Sequence, residues 1–138
     1  MKIATWNINS VRLRIAQVLR FLKEQQPDVL CLQETKTRDT SFPANDIAQA
    51  GWPHQAIRGQ KSYNGVAILS RLPIEKSSYQ DWVGKSDCRH ISAQINGINI
   101  HNIYLPAGGN VPDRDENIKF GHKLDFISEV TEYFENNK

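Results

Sequence analysis

Residues 2–34 read KIATWNINSVRLRIAQVLRFLKEQQPDVLCLQE, and this stretch decides the fold. It opens with a short β-rich run, Lys2 to Ile8, and closes with a fully apolar run, Val29 to Leu32. Between them, apolar residues at helical spacing predict a helix that Asn9 or Ser10 caps and Pro27 ends. The apolar stripe consists of Val11, Ile15, Val18, Leu19 and Leu22. Strand, helix and strand within about 30 residues predict a right-handed βαβ unit with a parallel pair.

The rest of the chain continues the α/β pattern. Two alternating runs flank Asn96-Gly97, which is the strongest short signal for a β-hairpin. The predicted elements are a helix from Pro43 to Ala50, strands from His54 to Ile57 and Val66 to Leu69, and hairpin strands from Arg89 to Ile95 and Ile98 to Tyr104. A last helix is predicted from about His122 to Glu135. Its apolar face consists of Phe126, Ile127, Val130, Tyr133 and Phe134.

Composition places the chain among ordinary globular proteins. Its 138 residues are 39% hydrophobic and 23% charged, which predicts one domain with a sizeable core. No apolar run approaches the about 18 residues of a membrane span, and the N-terminus enters a strand without a signal-like core. Cys31 and Cys88 do not form a disulfide framework. We therefore predict a cytoplasmic protein with no membrane partner.

The net charge of +2 excludes a uniformly basic coat, so any polyanion must bind a local patch. Basic residues cluster near the predicted strand ends, although solvated surface charge is the common explanation for such a cluster. The cluster comprises Arg12, Arg14, Lys36, Arg38, Arg58 and Lys61. In the loop before the Val66 strand, Tyr63 lies beside Lys61, a pairing that suits a nucleic-acid backbone or an ordinary exposed loop.

Polar side chains follow three predicted strands at the points where they end. Asn7 and Glu34 end the two parallel strands, so both lie at the edge where open α/β sheets place active sites. Glu34 is the best metal candidate, because Mg²⁺ often takes one or two carboxylates together with water and phosphate. Tyr104 ends the hairpin and offers a phenol that could donate to a developing phosphoryl oxygen. The alternatives are a salt-bridging Glu34, an Asn7 that bonds its own backbone, and a Tyr104 at the edge of the core.

Four motifs in order closely resemble the exonuclease III branch of the endonuclease/exonuclease/phosphatase superfamily, which holds the metal-dependent apurinic/apyrimidinic endonucleases. The motifs are Ile3 to Arg12 (IATWNINSVR), Gln26 to Lys36 (QPDVLCLQETK), Gly59 to Ser70 (GQKSYNGVAILS) and Asn102 to Gly108 (NIYLPAG). They cover almost the whole chain.

The resemblance implies an α/β fold, a four-layered sandwich of two packed sheets flanked by helices. It also implies a nuclease that needs Mg²⁺ or Mn²⁺, cuts double-stranded DNA at abasic sites and removes nucleotides from 3′ ends. By motif, Glu34 resembles the metal carboxylate, Asn7 its neighbour and Tyr104 the catalytic tyrosine. Arg12, Lys36 and Tyr63 resemble DNA-backbone contacts, and Lys61 joins them as a DNA-binding candidate.

The resemblance also implies that something is missing. Family members are about twice as long, and their further half carries the general base, for which this sequence shows no candidate. Residues 1–138 are therefore expected to be the N-terminal part of a single domain, with the C-terminal half absent. Such a fragment should be inactive alone and should expose an apolar face. The alternatives are a non-catalytic DNA-binding remnant and a sibling phosphodiesterase acting on a lipid or sugar phosphate.

Overall fold

The structure, a computed structural model, describes residues 1–138 and divides into two units. The first unit comprises Met1–Gln80 and Asp87–Tyr104, and the second comprises Asp81–Ser86 and Leu105–Lys138. The first unit contains β1 (Ile3–Asn7), α1 (Ile15–Gln25), β2 (Val29–Gln33), α2 (Ala44–Gln49), β3 (His54–Arg58), β4 (Val66–Ser70), β5 (Lys76–Ser78), β6 (His90–Ile95) and β7 (Ile98–Ile103). No helix is long and apolar enough to span a membrane.

Four strands form a mixed sheet in the order β1-β2-β4-β3. β1 and β2 pair in parallel with Asn7 opposite Gln33, which confirms the βαβ unit predicted from the sequence. β4 pairs antiparallel with both β2 and β3. The two parallel strands therefore end at the same edge of the sheet.

A second, antiparallel sheet has the order β5-β6-β7. The hairpin of β6 and β7 is confirmed, and both turn residues have positive φ, 51° at Asn96 and 73° at Gly97. Such φ values are those of a type I′ turn, whose twist matches the flanking strands. β5 was not predicted, because its three residues are polar and exposed and carry no hydrophobic alternation.

The central strands β2 and β4 are apolar on both faces because both faces are covered. Leu30 and Leu32 pack in a cluster with α1 and α2, whereas Val29 and Cys31 pack in a second cluster with residues of β6 and β7. The first unit thus has three layers: helices, the mixed sheet and the antiparallel sheet. This explains why the β2 sequence is a continuous apolar run.

One buried polar side chain crosses the space between the two sheets. The Asn102 amide nitrogen, on β7, donates to the carbonyl oxygens of Leu32 at 2.8 Å and Ala67 at 2.9 Å. Its oxygen accepts a hydrogen bond from Gln33 Nε2 at 2.7 Å. Buried amides are tolerated when their hydrogen bonds are satisfied, so Asn102 fixes β7 against β2 and β4.

The start of α1 differs from the sequence prediction. The helix begins at Ile15 after a turn, and its N-cap residue, Arg14, makes no side-chain capping bond. Asn9 and Ser10 instead adopt positive φ values of 46° and 85°, which an N-cap residue does not have. The prediction that Asn9 or Ser10 caps α1 was therefore wrong, and Ser10 Oγ instead accepts a hydrogen bond from the Leu13 N–H in the turn before the helix. Gln26, in the left-handed conformation, ends the helix directly before Pro27.

The second unit contains the longest helix, α3 (Ile118–Asn136). It begins four residues before the predicted start, because Asn117 caps it by accepting a hydrogen bond from the Lys119 N–H. Trp82 of the same unit packs edge-on against Phe126 and Tyr133, with ring centroids 5.4 and 5.7 Å away. Ile127 was predicted on the apolar face but is 41% exposed.

Candidate active site

The ends of β1 and β2 place Asn7 and Glu34 at one edge of the mixed sheet, as the sequence predicted. The connection is held by backbone hydrogen bonds, since Ile8 N–H donates to the Gln33 carbonyl and Ser10 N–H donates to the Glu34 carbonyl. Glu34 has a φ of 55°, a left-handed conformation that non-glycine residues rarely adopt. Such a conformation persists only where the surroundings determine it, as they commonly do in functional sites.

Tyr104 directly follows β7 and reaches Glu34, 70 positions earlier in the chain. Its phenol donates a hydrogen bond of 2.6 Å to Glu34 Oε1. The short distance is that of a charge-assisted O–H···O⁻ hydrogen bond. Two residues singled out separately at strand ends are thus in direct contact, which makes this the centre of the candidate site.

The environment of Tyr104 keeps its phenol protonated. Burial, together with the hydrogen bond to Glu34 and its negative charge, raises the pKa of Tyr104 to about 12. The Arg89 guanidinium, 4.9 Å above the ring centroid, opposes this rise. Arg89 is itself held by an ion pair with Asp87 at 2.7 Å. At neutral pH the phenol is therefore a hydrogen-bond donor.

Sequence reasoning missed Arg89, Asp87 and Gly65. Gly65 has a φ of 95°, and a Cβ built on it would lie 2.1 Å from Thr35 Oγ1, so only glycine fits there. Its carbonyl accepts from the Thr35 N–H, which fixes the residue after Glu34. The glycine at the end of a polar loop could have signalled a close approach, whereas nothing near Arg89 marks its position over Tyr104.

Asn7 does not contact Glu34 through a hydrogen bond. Its side-chain oxygen accepts from the Asn9 N–H at 3.2 Å, the local bond of a turn residue. Asn9 in turn accepts a hydrogen bond of 2.6 Å from Lys36 Nζ. The structure therefore places Asn7 at the predicted edge of the sheet and engages its side chain in a local turn.

The donor set fits a hard divalent cation. No group of three or more His, Cys, Asp or Glu side chains is placed to hold a metal ion, which argues against a closed protein cage. The site offers a carboxylate, Glu34, whose Oε2 accepts no hydrogen bond from the protein, and the amide of Asn7. Oxygen donors in small number suit Mg²⁺, which keeps several waters and completes its shell with phosphate oxygens.

Four of the six basic residues that cluster in the sequence lie together in the structure. Arg12, Lys36, Arg38 and Lys61 line one cavity of about 220 Å³. Arg58 instead stacks on Tyr79 at 3.8 Å and donates to two backbone carbonyls. Tyr63, a predicted DNA contact, is 70% exposed.

The chain matches the Endonuclease/Exonuclease/phosphatase family over residues 4–129 and belongs to that family. Among curated relatives, it is 29% identical over 144 residues to exodeoxyribonuclease III of Haemophilus influenzae, covering 98% of this chain and 51% of that protein. It is 30% identical over 114 residues to the DNA repair nuclease APEX1 of Danio rerio, covering 77% of this chain and 36% of that protein.

Solved structures agree with this assignment. An AP endonuclease from Archaeoglobus fulgidus superposes with a TM-score of 0.90 at 37% identity, covering 100% of this chain and 52% of that one. A 3′ phosphatase, NExo, from Neisseria bound to product DNA hairpin gives a TM-score of 0.88 at 35% identity, covering 99% and 52%. These matches confirm the α/β fold and the predicted family, and the chain spans about half the length of these solved structures.

Proposed function

We propose that this chain carries part of the active site of a metal-dependent DNA phosphodiesterase of the exonuclease III type, acting on double-stranded DNA at abasic sites and 3′ ends. The hydrogen bond between Tyr104 and Glu34 is the observation that carries the proposal, because it joins the two side chains that phosphodiester hydrolysis needs first. The carboxylate of Glu34 would bind a cation beside the phosphate, and the phenol of Tyr104 would donate a hydrogen bond to a phosphate oxygen. The similarity to nucleases of DNA repair supports DNA as the substrate.

In this proposal, Glu34 holds the divalent cation, Mg²⁺ or Mn²⁺, with Asn7 beside it. A bound cation of this kind supplies charge neutralisation at the phosphate and makes a coordinated water more acidic. Tyr104 stays protonated, and its single O–H would turn from Glu34 Oε1 to a non-bridging phosphoryl oxygen of the bound substrate as negative charge develops there. Arg12, Lys36, Lys61 and Tyr63 bind the DNA backbone.

The site residues do not include a free general base. Glu34 accepts the Tyr104 hydrogen bond and Asp87 is ion-paired with Arg89, so neither is placed to deprotonate an in-line water. Hydrolysis needs such a base within about 3 Å of the water. We therefore propose that residues 1–138 are the N-terminal part of a single domain and are inactive alone.

The metal site can be tested without catalysis. Mn²⁺ titrated into ¹⁵N-labelled chain should broaden the amide signals of residues 6–9 and 33–36 through paramagnetic relaxation. Glu34→Gln should abolish the broadening, whereas Glu24→Gln, which removes an equivalent charge from an exposed ion pair on α1, should leave it. Broadening that persists in Glu34→Gln would refute the assignment of Glu34 as the metal ligand.

Catalysis is tested on a labelled duplex with one abasic-site analogue in Mg²⁺, comparing the chain with Glu34→Ala and Tyr104→Phe. We expect no nicking by the chain itself. Nicking that Glu34→Ala abolishes would contradict the inactivity proposed for residues 1–138. Duplex binding that requires no metal would favour the alternative of a non-catalytic DNA-binding protein, which the cations of the basic cavity also suit.

A further inference from the structure

Arg89 directly precedes β6 and contacts Tyr104 in three ways. Its carbonyl oxygen accepts a hydrogen bond of 2.8 Å from the Tyr104 N–H, which extends the pairing of β6 and β7. Its Nη1 donates a long hydrogen bond of 3.4 Å to the Tyr104 carbonyl oxygen. Its guanidinium carbon lies 4.9 Å from the centroid of the Tyr104 ring, within the range of a cation–π contact. This one residue therefore holds both the backbone and the ring of Tyr104.

The guanidinium of Arg89 is itself fixed by Asp87. The Arg89 Nε donates to Asp87 Oδ2 at 2.7 Å, and the two side chains are only 15% and 23% exposed. A partly buried ion pair is screened less by solvent than a surface pair, and the planar guanidinium loses little freedom when it forms hydrogen bonds. The guanidinium is therefore held in one place over the ring.

Asn64 and Gly65 link this ion pair to the strand end that carries Glu34. Asn64 Nδ2 donates to the Asp87 carbonyl oxygen at 2.8 Å, and the Gly65 N–H donates to the Cys88 carbonyl oxygen at 3.1 Å. The carbonyl oxygens of Asn64 and Gly65 in turn accept hydrogen bonds from the N–H groups of the two residues that follow Glu34. Both residues have positive φ, 51° and 95°, which asparagine and glycine tolerate better than most residues. The dipeptide thus connects the two sides of the candidate site.

The role proposed for Tyr104 needs a ring that keeps its position. A phenol has a single O–H, so the proton that bonds Glu34 Oε1 must turn to reach a phosphoryl oxygen. Rotation about the C–O bond re-aims the proton without moving the oxygen, provided that the ring stays where it is. A displacement of about 1 Å in a reacting group can cost about a hundredfold in rate. The contacts that fix the ring therefore bear directly on the chemistry.

We propose that Arg89 is a positioning residue for Tyr104, which it holds, together with Asp87, in the place from which the phenol reaches both Glu34 and a substrate oxygen. In this role Arg89 acts through Tyr104, and Asn64 and Gly65 keep the pair in register with the end of β2. The inference rests on the proposed function in that it assigns Tyr104 the part of hydrogen-bond donor.

The test measures the coupling between Tyr104 and Glu34 with and without Arg89. Urea denaturation of the chain, Tyr104→Phe, Glu34→Ala and the double variant gives the coupling free energy of the pair. The same set of proteins is then made with Arg89→Met, which we expect to remove most of that coupling. A purely structural arginine would lower stability and leave the coupling unchanged. Asp87→Asn, a milder substitution that leaves Arg89 in place without its ion pair, should also weaken the coupling.

Arg71→Met is the matched control for the loss of a guanidinium. Arg71 also pairs with an aspartate, Asp28, at 2.8 Å and lies over an aromatic ring, that of Trp52, at 5.6 Å. It follows β4 at the edge of the mixed sheet opposite to that of Glu34, because β4 runs antiparallel to β2. The Arg71→Met background should therefore retain the full coupling.

A second measurement does not depend on unfolding. In chain labelled with ¹³Cζ-tyrosine, the Tyr104 signal is identified by its absence from Tyr104→Phe. Glu34→Ala should shift this signal in the chain and in Arg71→Met, but not in Arg89→Met, where the ring no longer presents its hydroxyl to Glu34.

The proposal would be overturned by full coupling in both Arg89→Met and Asp87→Asn, or by an equal shift of the Tyr104 signal in the Arg89→Met and Arg71→Met backgrounds. Absence of any coupling in the unsubstituted chain would overturn it as well. Neither measurement uses metal or DNA, so the Mn²⁺ experiment at Glu34 judges the proposed function separately.

Discussion

Replacing Asn102 by alanine should destabilise the first unit more than any change of a surface polar residue. The substitution removes three hydrogen bonds, two to the carbonyls of Leu32 and Ala67 and one from Gln33. At about 1 kcal/mol for each neutral hydrogen bond, the loss is about 3 kcal/mol, and buried carbonyls left without a donor add to it. A typical small protein has only about 5–15 kcal/mol of total stability, so the effect should be large.

The measurement is urea denaturation followed by tryptophan fluorescence. With a slope of about 2 kcal/mol per molar urea, a loss of about 3 kcal/mol lowers the midpoint by about 1.5 M at unchanged slope. Asn99→Ala is the matched control, because Asn99 lies on the same strand but is exposed. It should change stability by no more than about 0.5 kcal/mol.

A second variant, Asn102→Leu, separates hydrogen bonding from packing. Leucine fills the space of the amide without leaving a cavity, but cannot donate to the two carbonyls. If the hydrogen bonds matter, Asn102→Leu and Asn102→Ala lose similar stability. If Asn102→Ala behaves like Asn99→Ala, the reasoning that a buried amide holds the two sheets together is refuted.

Three further predictions concern other positions. Gly65→Ala should lower the melting temperature by several degrees more than Gly97→Ala. Both glycines have positive φ, but only at Gly65 would the added Cβ clash with Thr35. Equal shifts of the melting temperature in the two variants would contradict the predicted clash. The Lys2 backbone N–H and the Arg71 guanidinium lower the pKa of Asp28. The ionised carboxylate therefore stabilises the fold above the usual pKa of an aspartate, and this stabilisation is lost as the pH falls through the lowered pKa. The difference in unfolding free energy between the protein and Asp28→Asn should close on acidification, and a difference that stays constant would refute this. Burial raises the pKa of the Cys31 thiol from 9.0 to about 11, so ionisation of the thiol favours the unfolded chain above pH 9. The free energy of unfolding should therefore fall, relative to that of Cys31→Ala, by up to roughly 1.4 kcal/mol per pH unit between pH 9 and 11. If the unfolding free energies of the two proteins depend on pH in the same way, the effect is excluded.

The sequence was sufficient for the elements whose signals are local. The βαβ unit follows from apolar spacing, and the hairpin follows from Asn96-Gly97, since both depend on neighbours within a few residues. The positions of Glu34 and Tyr104 at strand ends also follow from local patterns, although the hydrogen bond between them was not predicted. The sequence placed each residue at the end of a strand, but their contact joins the ends of β2 and β7, which belong to different sheets, and therefore depends on how the two sheets pack.

What the sequence could not indicate depends on packing between distant segments. Arg89 becomes important only because the hairpin carries its guanidinium over the Tyr104 ring, a contact with no local signature. β5 pairs with β6 through its backbone, and its polar side chains give no alternation to detect. Asn102 belonged to a predicted strand, but its bonds to the facing sheet depend on how two sheets pack.

The position of β1 at the end of its sheet has a consequence for how the protein behaves at high concentration. β1 has a single strand neighbour, β2, and its sequence, Ile3–Asn7, contains no charge and no proline. Natural edge strands usually carry such residues, which prevent pairing with another chain. Within residues 1–138, the outer hydrogen-bonding groups of β1 therefore form a template for the addition of a further strand, whether that strand comes from the same protein or from another molecule.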